Sequence, residues 1–147
     1  MSKITFFTNN DIDKTVGGLE RACAKFIEWS VKLNFKTIVF FRILDIMLFC
    51  TYSKKDIIFI VGHRSTKILI AGFVAIFFSK ARVIWCPFWH DFRLEKGKNK
   101  YVYLLYDKLF LMLFRKVDTQ VFVSNHEAEM ICDTEKSFRL ILPTFVD

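Results

Sequence analysis

Short apolar, β-forming runs alternate with longer stretches of helical periodicity along almost the whole chain, and this alternation leaves few folds open. Strands that are apolar throughout, rather than at every second position, are buried on both faces, as in parallel sheets whose crossovers are helices. Ile4–Thr8, Lys36–Phe41, Asp56–Val61, Arg82–Trp85, Thr119–Val123 and Arg139–Leu142 are such runs. From Gly17 to about Leu33, the apolar Leu19, Cys23, Phe26, Ile27 and Val31 recur mainly at three and four. Glu20, Arg21, Lys25, Glu28 and Lys32 occupy much of the other side, predicting an amphipathic helix. Arg42–Tyr52 predicts a short, imperfect helix. Thr66–Phe78 is apolar almost all round and predicts a helix buried on both sides or resting against lipid. Lys100–Arg115 and Asn125–Ile131 complete the helices. The fold class that follows is α/β, a Rossmann-like parallel sheet of about six strands with helices on both faces.

A chain of 147 residues holds one domain, 1–147, and 53% hydrophobic residues with 5 Gly and 2 Pro exclude a disordered tail or linker. The net charge of +7 implies attraction to polyanions, nucleotide phosphates or an anionic membrane face. Cys23, Cys50, Cys86 and Cys132 stand singly, without the paired spacing of a zinc or redox site, and read as reduced, buried thiols. The first apolar run meets Thr8-Asn9-Asn10-Asp11 too soon for a secretory signal, so a cytoplasmic location is expected. The longest apolar stretch, Ile68–Phe78, falls short of the roughly 20 residues a membrane span needs.

Ligands of an open parallel sheet bind outside the carboxyl ends of its strands, so the segments after each strand are where chemistry belongs. After the first strand, Gly17-Gly18 permits close backbone approach where a helix begins and offers N–H groups to a phosphate or carboxylate. Neither G-x-G-x-x-G nor a P-loop is present, which weakens dinucleotide and ATP readings. After the third strand, Gly62-His63-Arg64-Ser65 offers oxyanion or hydroxyl ligands, or a polar turn with Ser65 as helix cap. After the fourth, His90 beside Asp91 can bind sugar hydroxyls or move a proton near neutral pH. After the fifth, Ser124 or Asn125 can cap a helix or line a cleft. His63, His90 and His126 lack metal-ligand spacing, so no metal is expected. No recognition-helix, OB or RRM pattern points to nucleic acid. Lys96, Lys98, Lys100, Lys108, Arg115 and Lys116 flank the Tyr101–Tyr106 stretch, which suits a helix packed on the sheet or a cationic, aromatic helix lying peripherally on a membrane.

The order of these pieces resembles the N-terminal domain of the family-four, GT-B glycosyltransferases. The resemblance rests on the first strand with Gly17-Gly18-Leu19-Glu20, on Asp56-Ile57-Ile58, and on Trp85 to Asp91. Asp118 to His126 and the terminal Leu142-Pro143-Thr144-Phe145-Val146-Asp147 complete it. It implies an acceptor-binding half whose partner domain holds a nucleotide-sugar co-substrate, transfer with retention to a lipid-linked or polysaccharide acceptor, and no metal or other cofactor. It also implies Gly17 and Gly18 near the donor phosphates and His90 near the reacting sugar. His63, Arg64, Asp91, Ser124 and Asn125 then belong to the acceptor cleft, and 143–147 to the start of an interdomain linker. Phe145 stands where the family's P-N-G-V-D has Gly, and the donor-side E-x7-E motif is absent from these residues. The expectation is therefore a chain inactive without a donor-binding domain, supplied by a separate chain or lost. The competing expectations are a non-catalytic module docking on a membrane or partner, an inactive gene remnant, or a small nucleotide-binding protein.

Overall fold

The computed structural model describes residues 2–9, 18–63, 65–88, 100–131 and 138–141. The strands are β1 (Lys3–Phe7), β2 (Lys36–Phe40), β3 (Ile57–Val61), β4 (Arg82–Cys86), β5 (Thr119–Phe122) and β6 (Phe138–Ile141). The helices are α1 (Gly18–Lys32), α2 (Thr66–Phe78), α3 (Lys100–Phe114) and α4 (Asn125–Ile131), with a 3₁₀ segment, η1 (Ile43–Thr51), between β2 and β3. All pairings are parallel, in the order β2-β1-β3-β4-β5, with β6 extending the β5 edge. The protein is a doubly wound α/β domain of the Rossmann-like kind.

Side chains alternate across the sheet as the strand pleat requires. Ile4 and Phe6 of β1, Val61 of β3, Cys86 of β4 and Val121 of β5 pack on Cys23 and Phe26 of α1. Phe7, Ile58, Ile60, Val83, Trp85 and Phe122 face the other way into a larger core built with η1, α2, α3 and α4. Among the described elements the layers are thus unequal, one helix against four elements. The cause is the winding: β1 to β2 runs one way along the sheet, and every later connection runs the other way. Right-handed crossovers therefore put α1 on one face and the other described connections on the opposite one.

Local chemistry accounts for the elements. Along η1 and its C-cap the buried Ile46, Phe49 and Tyr52 recur every three residues, the period of a 3₁₀ helix, which sets an inward stripe where an α-helix would drift. Tyr52 closes that stripe with a buried hydroxyl pair to Thr5 at 2.8 Å. Asp56, just before β3, accepts from the Ser53 N–H at 2.8 Å, the Ser53 hydroxyl at 2.9 Å and the Lys3 N–H at 3.3 Å, locking the entries of β1 and β3 together. Asp118 does the same for β4, accepting from the Val83 N–H at 2.7 Å. At the end of α3, the buried Gln120 amide donates to the Phe114 carbonyl at 2.9 Å. Asn34, φ 60°, turns the chain out of α1 in the left-handed conformation that asparagine tolerates.

One expectation is corrected and another is narrowed. Cys23 and Cys86 are buried, but Cys50 is exposed, because it lies three residues from Met47 on the outward stripe of η1; Cys132 lies outside the described residues. Of the two alternatives for α2, burial on both sides is excluded, and contact of one face with lipid is left standing. Ile68, Leu69, Ala71, Gly72 and Ala75 face the sheet, while Phe73, Phe77 and Phe78 are exposed.

Candidate functional site

The connections reverse direction between β1 and β3, and the crevice outside the carboxyl ends of these neighbours is where a doubly wound sheet takes its ligand. From β1 the crevice receives Thr8 and Asn9, from β3 Gly62 and His63, and from the start of α2 Ser65 and Lys67. Thr8 is buried, with its N–H donated to the Phe40 carbonyl at 3.0 Å.

Five hydrogen bonds tie the crevice together. Ser65, at the N-cap of α2, makes no capping bond of its own; its hydroxyl donates to Asn9 Oδ1 at 2.7 Å. The Lys67 ammonium donates to the carbonyls of Asn9 at 2.7 Å and Phe41 at 3.1 Å, tying the ends of β1 and β2 to α2. On the β3 side, Gly62 has φ 107°, and its N–H donates to the Cys86 carbonyl at 2.9 Å. Its own carbonyl accepts from Trp85 Nε1 at 2.8 Å. A side chain at position 62 would be strained at that φ, so glycine lets the chain turn sharply enough to bring His63 to the edge.

His63 is half-buried, its ring against Phe110 at 5.9 Å between centroids. Nδ1 lies 3.0 Å from the Pro87 carbonyl. A carbonyl only accepts, so Nδ1 carries the proton, and in the neutral ring Nε2 is then the acceptor. No acidic residue occupies the first turn of α2. His63 Nε2 is itself buried, so the crevice combines an imidazole of fixed tautomer within its wall with the positive end of a helix, which favours a neutral or anionic ligand.

Of the residues expected from sequence, His63 lies in this crevice. Ser124 and Asn125 lie on the same sheet edge, after β5. Ser124 caps α4, its hydroxyl accepting from the Glu127 N–H at 3.1 Å, while the buried Glu127 carboxylate accepts from the Val123 N–H at 2.7 Å. Asn125 is exposed at the first position of α4. Gly18 opens α1. Gly17, Arg64, His90 and Asp91 lie outside the described residues. Sequence reasoning missed Asn9 and Lys67 as the fasteners of the crevice; the available signal was a single lysine within the apolar α2. Burial, and next the Glu127 carboxylate, push the Cys86 thiol well above the usual thiol range, so Cys86 stays protonated at the end of β4 and is no nucleophile. Among the described residues, no group of three His, Cys, Asp or Glu side chains is placed to hold a metal ion. The chain matches no protein-family model and no curated protein sequence.

Proposed function

We propose that this chain is the acceptor-binding half of a retaining glycosyltransferase, which moves a sugar from a nucleotide-sugar to a lipid-linked or polysaccharide acceptor. The observation that carries the reading is the crevice at the reversal of a parallel sheet, with His63 held in one tautomer beside the α2 N-terminus. The described parts of the segments that carry the family resemblance support the reading: Asp56 and Asp118 precede β3 and β5, and Gly18 opens α1. In this reading Gly17 and Gly18 lie near the donor phosphates, His90 serves the reacting sugar, and His63, Arg64, Asp91, Ser124 and Asn125 serve acceptor hydroxyls. Charge on the leaving phosphate is offset by helix ends and basic groups, without metal.

The test is ligand-induced thermal stabilisation, which reports binding even without turnover. A panel of lipid-linked and polysaccharide acceptor fragments is expected to raise the melting temperature, His63→Ala to abolish the rise, and the chain alone to give no product with nucleotide-sugars. Silence toward every acceptor, or turnover by the chain alone, overturns the reading.

A further inference from the structure

Helix α2 lies between η1 and α3 and touches both, and the Thr66 and Tyr106 hydroxyls bond across α2 and α3 at 2.6 Å. The three elements form one layer, and its outer surface is apolar. Leu44 is 79% exposed, Met47 67%, Phe78 60% and Tyr101 83%, with Phe77 and Leu105 beside them. An ordinary helix layer turns such residues inward; exposed apolar side chains gathered on one layer mark an interaction face.

Charge decides what covers it. Among the described residues, the exposed charged side chains of this layer, its three elements and the two residues flanking each end, are Arg42, Lys80, Lys108, Arg115 and Lys116, all basic. Its two acids, Asp45 and Asp107, are half-buried, and the Asp45 carboxylate accepts from the Arg42 N–H at 3.3 Å. The Lys116 ammonium sits 5.4 Å from the centre of the exposed Phe77 ring. The other sheet face differs, since α1 pairs Lys32 with Glu28 at 2.6 Å. A second copy of the chain packed symmetrically through this layer would bring like charges against each other. An anionic bilayer surface meets both demands, since its headgroups answer the cations and its acyl boundary takes up Phe, Leu and Met. No helix among the described residues is long and apolar enough to cross a membrane.

We infer that the η1–α2–α3 layer docks the protein on an anionic membrane surface, lying in the interface with the sheet roughly parallel to the bilayer and the carboxyl-edge crevice opening sideways along it. The inference does not rest on the transferase reading. Its test is flotation of the full chain with phosphatidylcholine vesicles holding roughly one-third phosphatidylglycerol. The wild type is expected to float with these vesicles, and to lose binding with pure phosphatidylcholine and at high salt. Leu44→Glu with Met47→Glu, and separately Phe78→Glu, are each expected to weaken partitioning by at least about tenfold. Leu33→Glu, away from the layer, and His63→Ala, in the crevice, are expected to leave it unchanged. The side chains altered in the layer point out of the core, so circular dichroism should stay native. Lys108→Glu with Lys116→Glu gives a second variant set that tests the charge alone. Absence of wild-type flotation, or flotation indifferent to the layer variants, overturns the inference. So does sedimentation showing a dimer that Leu44→Glu dissolves, which would assign the face to protein.

Discussion

Replacing Gly72 by alanine tests how closely α2 must approach the sheet, and two physical effects predict opposite signs. Alanine is the better helix former by about 1 kcal/mol, so propensity alone makes the variant more stable. The packing says otherwise, because a Cβ at position 72 would stand 2.5 Å from Cη2 of Trp85, and ordinary carbon contact needs about 3.5–4.0 Å. Either the helix or the indole must therefore yield by about 1 Å. The indole is fully buried, donates to the Gly62 carbonyl at 2.8 Å and meets Phe110 and Phe114 edge-on at 5.3 and 6.1 Å. It has no free direction, which places the overpacking cost toward the upper end of the usual ~1–3 kcal/mol. Against the propensity gain, the net is a loss of about 1–2 kcal/mol, or about 3–6 °C in melting temperature for a domain of this size. Urea and thermal unfolding measure it. In a Trp85→Leu background the obstacle is gone, so the same substitution should become neutral or stabilising, a coupling of about 2 kcal/mol in the double-mutant cycle. A Gly72→Ala protein as stable as wild type, or an equal cost in both backgrounds, refutes the argument.

Thiol chemistry should single out Cys50: in a Cys132→Ser chain, maleimide is expected to label one site rapidly by mass spectrometry, with Cys23 and Cys86 reacting only on unfolding. Rapid labelling of a second thiol would contradict the burial described. Burial raises the Asp56 pKa, but the hydrogen bonds from Ser53 and Lys3 outweigh it and hold the carboxyl below its ordinary value. A lowered folded-state pKa contributes stability that is full above the unfolded value and lost as pH falls through the folded one. Asp56→Asn should therefore be roughly 1 kcal/mol less stable at neutral pH, with the gap closing below about pH 4; a gap that does not change with pH would show that the charge plays no part. Gln120→Leu leaves the Phe114 carbonyl without that buried donor and should cost about 1–3 kcal/mol by urea denaturation. A neutral result would mean that the end of α3 is satisfied some other way.

The element order was legible because each signal was local. Helix α2 begins and ends where Ser65 and Ser79 interrupt the apolar run, and α4 begins after its capping Ser124, so their bounds match the sequence reading. The 3₁₀ nature of Arg42–Tyr52 was also present, in the spacing of Ile46, Phe49 and Tyr52, but apolar residues on the outer stripe hid it. Leu44 and Met47 blur the spacing, so the segment reads only as a short, imperfect helix. The same ambiguity concealed the exposure of Phe73 and Phe77 in α2, because hydropathy does not say which side of a uniformly apolar helix meets the sheet. That is fixed by Gly72, which alone among its neighbours lets Trp85 in. The crevice was harder still. Lys67 and Asn9 meet across 58 positions of sequence, and no local pattern announces such a bond.

The strand order links the two surfaces that matter. Because the winding reverses once, between β1 and β3, one reversal produces both the crevice and the unequal layers. The crevice opens where the connections part, and all but α1 of the described covering elements are thrown onto one face. The face that receives η1, α2, α3 and α4 has apolar residues enough for the core and for an outer surface as well. Trp85 stands between the two, its rim under Gly72 of α2 and its Nε1 on the Gly62 carbonyl beside His63. A displacement of α2 by whatever binds the outer layer therefore has a short physical path to the crevice. The substitution that tests the path is Gly72→Ala, which moves helix and indole apart without touching either surface. If the path is real, it should shift the backbone amide resonances of Gly62 and His63 more than those of Ser124. Equal shifts at both ends of the sheet edge would mean that the two surfaces are mechanically independent.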